Sequence, residues 1–356
     1  MRRRGVLYDV GRVLNLQWRP VFDQAAVRHE LRTIRDDLHC NAVRLCGRDP
    51  ARLTAAGEEA LRLGLEVWYC PELWNRPPAA TLRYLATAAR AAEQLRRRWP
   101  DRVVLSVATE ASMFVRGIIP GRTLARRTAN APAALRAGRH TEPLARFLAG
   151  AARVARAEFG GALTYASLPF ERVDWAPFDF VGVDHYRYAP TEAHYESALR
   201  HKLAHGKPVV VLEFGMRTYR DAEHDPTMLI RGITNWGTVA LNRVPVLGRL
   251  VRPRLLRGEH VRDEEYQARR VVEDLTILDA AGVDGTFVTQ FVEPMSPYSP
   301  SPRHDLDMNA FALVRTLPDG SWQPKAAFHA VAGFYASTSA RNPVESRQDR
   351  PSATGL

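Results

Sequence analysis

The chain has 356 residues, of which 46% are hydrophobic and 25% charged, a composition typical of globular proteins with an ample core. Its formal net charge of +11 would suit a nucleic-acid-binding protein, but only three of the 50 basic residues are lysine and the arginines form no single basic motif. We attribute the arginine excess to the codon bias of a GC-rich genome and expect no nucleic-acid partner.

Short apolar runs alternate with helical patterns along the first third of the chain. Apolar runs of this length that lack strict polar alternation are typical of buried parallel strands, and the intervening patterns have the period of amphipathic helices. The predicted strands cover residues 5–10, 41–46, 65–70 and 103–108, and the predicted helices cover residues 23–38, 51–63 and 80–98.

The alternation continues to the end of the chain. Further strands are predicted at residues 162–167, 180–184, 208–212 and 285–291, with helices at 143–158, 192–205, 264–281 and 325–335. Eight strands, nearly all followed by a helix, predict an α/β fold of the closed (β/α)8 TIM-barrel type. A doubly wound sheet is disfavoured, because no G-x-G-x-x-G follows the first strand and no phosphate-binding G-x-x-x-x-G-K-[ST] occurs. We therefore expect a single barrel domain over residues 1–338 and a disordered tail over 339–356.

Two connections are longer than the few residues usual in βα units. They cover residues 111–141 after the fourth strand and 216–263 after the seventh, and both are rich in arginine. Long βα loops lie on the face of a barrel that carries chemistry, so these are candidate lids. Their arginines suit either an anion-binding role or a solvated surface.

The cysteines and the hydrophobic runs indicate the cellular compartment and whether a metal site is expected. Cys40, Cys46 and Cys70 are odd in number and lack a metal-type spacing, which indicates free thiols in a reducing compartment. No signal-peptide pattern and no run of about 18 uncharged apolar residues occurs. We expect a cytoplasmic protein with no membrane segment, no metal and no cofactor.

Two glutamates close apolar runs that are predicted to be strands. Glu110 ends the fourth run and Glu213 ends the seventh, so in a barrel both side chains converge across the mouth. Two carboxyl groups about 5 Å apart can cleave a glycoside with retention of configuration, whereas a separation of roughly 6.5 to 9.5 Å leaves room for a water and gives inversion.

The positions of these residues resemble the retaining glycoside hydrolases of clan A, which include cellulases, mannanases and β-galactosidases. The resemblance lies in the order of all eight units and in Glu110, Glu213 and Arg44, which ends the second strand. It implies that Glu110 is the general acid/base, that Glu213 is the nucleophile and that Arg44 keeps the nucleophile ionised. It also implies that Tyr186, after the sixth strand, hydrogen-bonds the nucleophile.

Two positions depart from the pattern of that clan. Thr109 precedes the acid/base, where the clan usually has an asparagine that contacts the sugar 2-hydroxyl. Gln290 and Phe291 end the eighth strand, where a tryptophan usually forms a platform under the sugar ring. Both departures lie where the sugar would be gripped, so the substrate is left open.

The remaining candidate residues lie in predicted loops near the barrel mouth. His185, Glu293 and Trp236 are candidates for substrate binding, since carboxylates accept hydrogen bonds from sugar hydroxyls and aromatic rings pack on sugar C–H faces. Each has a structural alternative: His185 could fill the barrel mouth, and Trp236 could pack a loop against the barrel.

Three functions fit these expectations. The first is a retaining glycosidase that acts on a small glycoside or oligosaccharide, with or without an anionic group. The second uses the same barrel for transglycosylation or a biosynthetic tailoring step, because barrels host many chemistries. The third is a non-catalytic barrel that binds carbohydrate or protein, in which the two carboxyl groups would lie well beyond 10 Å apart. The sequence assigns no oligomeric state.

Overall fold

Eight parallel strands form a closed barrel in the structure, a computed structural model that describes residues 1–11, 19–225, 232–242 and 254–341. Each strand pairs with the next in sequence, and β8 pairs with β1 to close the ring. The strands are β1 (Arg3–Asp9), β2 (Ala42–Gly47), β3 (Glu66–Pro71), β4 (Val103–Thr109), β5 (Ala162–Ser167), β6 (Val181–Asp184), β7 (Val209–Phe214) and β8 (Gly285–Val288). The predicted (β/α)8 barrel is therefore confirmed.

Helices follow most of the strands and pack around the barrel. Several begin at a side chain that accepts a backbone N–H, as Asp23, Asp49, Thr123 and Asp263 do, which satisfies an otherwise unpaired donor of the first turn. The helices are α1 (Gln24–Asp36), α2 (Pro50–Arg62), α3 (Pro78–Arg98), α4 (Ala111–Phe114), α5 (Leu124–Arg136), α6 (Thr141–Glu158), α7 (Ala189–Glu192), α8 (Tyr195–Leu203), α9 (Trp236–Asn242), α10 (Glu264–Ala280) and α11 (Ala326–Arg341).

The core has two layers, one between strands and helices and one inside the barrel. Inside, the Trp68 ring lies 5.0 Å from Phe180 and 5.2 Å from Phe287, measured between ring centroids. These three rings come from β3, the start of β6 and β8, so they fill the barrel across its width. The interior of the barrel at this level is thus filled by side chains.

Three ladders are irregular near the carboxyl ends of their strands. The register shifts between Ser106 and Thr109 in the β4–β5 pair, and after Val183 in the β6–β7 pair. A third shift falls between Val211 and Phe214 in the β7–β8 pair. Bulges of this kind re-aim side chains, and here they adjoin the glutamates that the sequence singles out.

The connection after β4 differs from its sequence-based description. The sequence predicts a long connection without an assigned helix at residues 111–141, but the structure contains α4 and α5 there. The prediction missed α5 because Pro132 lies inside it and its arginines blur the apolar stripe. The connection after β7 contains α9, while residues 226–231 and 243–253 of it lie outside the described residues.

The end of the chain adds elements that the sequence did not predict. A two-stranded antiparallel sheet, β9 (Val314–Thr316) and β10 (Trp322–Pro324), precedes the last helix. Residues 339–341 of the predicted tail belong to α11, and residues 342–356 lie outside the described residues. No helix among the described residues is both long and apolar enough to cross a membrane.

Candidate active site

Three carboxylates meet at the carboxyl ends of the barrel strands. Glu110 directly follows β4, Asp184 ends β6 and Glu213 lies near the end of β7. One oxygen from each side chain lies within 4.8 Å of an oxygen of the other two. The structure thus brings together the two glutamates that the sequence singles out and adds a third acid to them.

Arg44 and Tyr186 hold the Glu213 carboxylate from two sides. The Arg44 Nη1 donates to Glu213 Oε1 at 2.6 Å and to the backbone oxygen of Leu212 at 3.1 Å. The Tyr186 hydroxyl lies 3.0 Å from Glu213 Oε2 and donates to it. The Arg44 side chain is fully buried, whereas that of Glu213 keeps 17% exposure. A buried guanidinium therefore pairs with a carboxylate that solvent and a small molecule can reach.

The Glu110 backbone has a left-handed conformation, with φ 43° and ψ 50°. This region is unfavourable for a side chain with a Cβ and costs about 1–3 kcal/mol, and such residues cluster at functional sites. The surrounding hydrogen bonds fix it, since the Glu110 N–H donates to Ala166 O at 2.8 Å and the Phe114 N–H donates to Glu110 O at 3.0 Å. The turn aims the Glu110 carboxyl into the barrel mouth.

A buried acid from the loop after β5 clamps this turn. Glu171 accepts a hydrogen bond from the Ser112 N–H at 3.0 Å, and its other oxygen accepts one from the Tyr165 hydroxyl at 2.6 Å. The same Tyr165 oxygen accepts the Ala111 N–H at 2.8 Å. Glu171 and Tyr165 thereby bind both backbone donors that follow Glu110. The sequence offered one faint signal for this role, an acid shortly after a strand end.

We predict that Glu171→Gln lowers the free energy of unfolding by about 1–3 kcal/mol. The amide keeps the size of the carboxylate, but its NH2 faces an N–H or O–H donor and cannot accept from it. Urea unfolding of the variant measures the loss. The matched control is Glu142→Gln, whose side chain is 79% exposed, and it should stay within about 0.5 kcal/mol of the parent chain. A Glu171→Gln protein as stable as this control would contradict the clamp.

Burial and mutual repulsion set the protonation of the acids around Glu213. Burial, followed by the charges of Glu213 and Glu171, raises the pKa of Glu110 well above its usual range. Burial and the charges of Glu213 and Glu110 do the same to the pKa of Asp184, whose two oxygens have no hydrogen-bond partner among the described residues. The surroundings of Glu110 therefore favour its protonated form, next to the Glu213 carboxylate that Arg44 binds.

The Thr109 hydroxyl takes part in the same network instead of facing the mouth freely. It accepts a hydrogen bond from Arg44 Nη2 at 3.0 Å and lies 3.2 Å from Cys70 Sγ. Arg44 Nη2 also lies 3.5 Å from that sulfur. Thr109 thus supports the arginine, and its proposed contact with a sugar hydroxyl stays a prediction.

The side chains of His185 and Trp236, two predicted substrate-binding residues, make no hydrogen bond to the three carboxylates in the described part of the chain. The His185 Nε2 lies 2.9 Å from the backbone oxygen of Tyr195, and the two rings stack at 4.0 Å. Burial lowers the pKa of His185 to about 4, so the imidazole is a neutral packing group under α8. Trp236 begins α9 and is 37% exposed, and no aromatic contact joins it to the described residues of the mouth. Their roles in binding stay predictions.

Gln290 and Glu293 lie after β8 on another side of the mouth. Glu293 accepts hydrogen bonds from the Phe311 N–H at 2.9 Å and from the Ser296 hydroxyl at 3.2 Å. Burial raises the pKa of Glu293, although the Arg217 charge and a hydrogen bond from Gln290 oppose this rise. These contacts order the loop after β8, and they leave the substrate-binding role of both residues as a prediction.

The basic lid after β4 is partly structural. The Arg127 side chain is buried and donates to Asn75 Oδ1 and to Gly121 O, both at 3.1 Å. It fastens the connection to the loop after β3, whereas Arg122 and Arg126 are exposed. In the second lid Arg243, Arg249 and Arg252 lie outside the described residues. Anion recognition by the lids stays a prediction.

Solved structures with a similar architecture include several carbohydrate-processing enzymes. A GH113 β-mannanase from Alicyclobacillus acidocaldarius is 16% identical, with a TM-score of 0.55 and coverage of 94% of this chain and 97% of that chain. Another GH113 β-1,4-mannanase is 11% identical, with a TM-score of 0.57 and coverage of 94% and 99%. The cellulase Cel5A from Thermotoga maritima, solved with cellobiose, is 11% identical, with a TM-score of 0.54 and coverage of 93% and 97%.

This chain has the (β/α)8 fold of the clan A glycoside hydrolases. The resemblance inferred from sequence is thereby confirmed at the level of the fold. No protein-family model matches the chain, and no curated protein matches it in sequence. At identities of 11–16% the likeness extends to the architecture alone, and the roles of individual residues in this barrel depend on the geometry described above.

Two residues of this candidate site were not among the site residues predicted from the sequence. Asp184 ends β6, and its place beside both glutamates depends on a register shift that the sequence does not display. Glu171 acts on the backbone next to Glu110 rather than on a reacting group. Such a role leaves no motif, because it depends on the loop after β5 folding back toward α4.

Proposed function

We propose that the chain is a retaining β-glycosidase-like enzyme that acts on a small glycoside or oligosaccharide. The observation that carries the proposal is that the two glutamates have different hydrogen-bonding and charged partners. Glu213 is bound by Arg44 and Tyr186, while Glu110 lies close by without a cationic partner among the described residues. Such a difference in surroundings separates a nucleophile from an acid.

Each glutamate has a defined part in the proposed reaction. A Glu213 oxygen attacks the anomeric carbon, the bond from that carbon to the leaving oxygen breaks, and the Glu110 proton moves to the leaving oxygen. In the second step Glu110 takes a proton from water, the water oxygen bonds to the anomeric carbon and the bond to Glu213 breaks. The oxygen spacing within 4.8 Å supports this route over inversion, which needs a gap of roughly 6.5 to 9.5 Å.

The substrate class is inferred from the neighbours and from the departures at the mouth. The similar structures include β-1,4-mannanases and a β-glucuronidase, so a β-linked sugar is proposed. Thr109 is engaged by Arg44, which leaves no amide at the place where the clan contacts the 2-hydroxyl. This observation keeps transglycosylation or a tailoring reaction as the second candidate. A change in how the sugar is bound can change which acceptor receives it while Glu213 remains the nucleophile.

Trapping with a 2-fluoro glycoside tests the proposal directly. The 2-fluoro group slows both steps, and an activated leaving group restores the first, so a covalent sugar accumulates on the nucleophile. A panel of 2-fluoro β-glycosides, including gluco, manno, galacto and glucurono forms, is incubated with the chain and the digest is examined by mass spectrometry. A label on the peptide that contains Glu213 is expected. A label on another carboxylate would overturn the assignment of the nucleophile.

A companion panel of chromogenic glycosides separates the two candidate reactions. Hydrolysis by water alone is expected for a glycosidase. If the label forms on Glu213 but the sugar is released only when an added alcohol or saccharide serves as acceptor, the same two glutamates carry transglycosylation instead. Carboxyl groups brought together as they are here disfavour a barrel that only binds.

A further inference from the structure

Three potential metal ligands meet beside the carboxylates: the thiols of Cys46 and Cys70 and the carboxylate of Glu72. One ligand atom of each lies within 4.8 Å of those of the other two, and all three residues are buried. Cys46 and Cys70 are register partners in the β2–β3 pair, and Glu72 directly follows β3. The barrel ladder therefore fixes the cluster, which does not depend on a mobile loop.

The surroundings of the cluster suit a divalent cation. Two thiolates and one carboxylate carry three negative charges, so a divalent ion leaves one negative charge in a buried place. Arg44 is fully buried with its Nη2 3.5 Å from Cys70 Sγ, and its guanidinium offsets that charge. The Thr109 hydroxyl, 3.2 Å from the same sulfur, can donate to it. Outer hydrogen bonds of this kind orient thiolate ligands and tune the bound metal.

We propose that Cys46, Cys70 and Glu72 form a zinc site with one open coordination position. Thiolate sulfur favours zinc over calcium and magnesium, and a three-residue set leaves the fourth position of a tetrahedral ion for water. The site does not rest on the proposed function, because metal binding is measured without any sugar. The two are connected through Arg44, which contacts both Cys70 and Glu213.

Cobalt and zinc titrations of the tag-free full chain test this site. The chain is stripped with a chelator, kept reduced with a non-thiol reductant and titrated with Co²⁺. One equivalent of Co²⁺ is expected to produce thiolate-to-cobalt charge-transfer absorption, and one equivalent of Zn²⁺ is expected to abolish it. A chain that gives no such absorption, and takes up no zinc against a chromophoric chelator, would overturn the proposal.

Cysteine variants locate the bound ion. Cys46→Ser and Cys70→Ser are expected to remove the absorption and to weaken zinc binding by more than the roughly 10- to 100-fold that loss of an outer partner costs. The matched control is Cys40→Ser, which changes the third buried cysteine outside the cluster and should bind like the parent chain. Binding lost in the Cys40 variant and kept in the other two would place the metal elsewhere.

Glu72→Gln keeps both thiols and provides a test that remains available if a cysteine variant fails to fold. It is expected to retain the charge-transfer absorption while binding zinc more weakly, because the amide lacks the negative charge. The zinc-induced rise in melting temperature should follow the same order, largest for the parent chain and the Cys40→Ser control and absent for Cys46→Ser and Cys70→Ser. Equal affinity of the Glu72→Gln variant and the parent chain would exclude Glu72 as a ligand.

Discussion

Replacing Glu213 with glutamine is expected to lower kcat/KM for every substrate by roughly 10⁴-fold or more, because removal of a covalent nucleophile leaves only binding and electrostatic contributions. The amide has the shape of the carboxylate, so the fold should persist. Its oxygen can still accept one hydrogen bond from Arg44 or Tyr186, but it lacks the charge that attacks the anomeric carbon. Initial rates with an activated chromogenic glycoside measure the effect.

A smaller side chain at the same position provides a second, independent result. Glu213→Gly opens the face from which the nucleophile attacks, and added azide should enter there. With an activated β-glycoside, azide attacks the anomeric carbon as the leaving group departs, and the product is the α-glycosyl azide. Glu142→Gln, on the exposed surface of α6, is the matched control and should keep the rate of the parent chain. Rates in Glu213→Gln equal to those of this control would contradict the nucleophile assignment.

Much of the barrel could be predicted from the sequence because its strands are buried on both faces. Strand β5 was predicted at its observed bounds, and most others within one or two residues. The largest boundary error is at β8, which ends at Val288 instead of residue 291, and at β7 the strand extends through Glu213 and Phe214. At these ends the ladders shift register, and hydrophobic pattern alone carries no information on such shifts.

The candidate site was only partly predictable for the same reason. Glu110, Glu213 and Arg44 lie at strand ends, and the barrel topology alone brings strand ends together. His185 shows the limit of this reasoning. Asp184 lies beside the glutamates, whereas the ring of His185, the next residue in sequence, packs on Tyr195. Successive side chains of a strand point to opposite faces, so a strand-end position without its register does not say which face a residue occupies.

The thiol pair shows what the linear spacing of residues conceals. Cys46 and Cys70 lie on different strands, and the motif patterns used for metal sites count residues along one segment. Their proximity follows once β2 and β3 are placed in register, because parallel neighbours lie about 4.8 Å apart. From the sequence both were expected to be free thiols that bind no metal, while the structure places Cys46 beside Cys70 and Cys70 next to Arg44.

Replacing Glu110 with glutamine should affect substrates according to their leaving groups. An unactivated alkyl glycoside needs its leaving oxygen protonated, so its kcat/KM is expected to fall by roughly 10²–10⁴-fold. A dinitrophenyl glycoside leaves as a stable anion without a proton, so the first step should be nearly unaffected. A plot of rate against the pKa of the leaving group should therefore be steep for the variant and shallow for the parent chain.

The pH dependence gives the same assignment a second test. The pKa of Glu110 is raised by burial and by the charges of Glu213 and Glu171, so Glu110 is protonated below this raised pKa and loses its proton above it. Activity of the parent chain on the unactivated glycoside should consequently fall as pH rises through that value. Glu110→Gln should lose this alkaline limb, because its amide does not titrate, and Glu142→Gln should retain it. An alkaline limb that persists unchanged in Glu110→Gln, or a rate loss equal for all leaving groups, would assign the proton donor to another group. Asp184, with an oxygen within 4.8 Å of an oxygen of each glutamate, is then the acid to test.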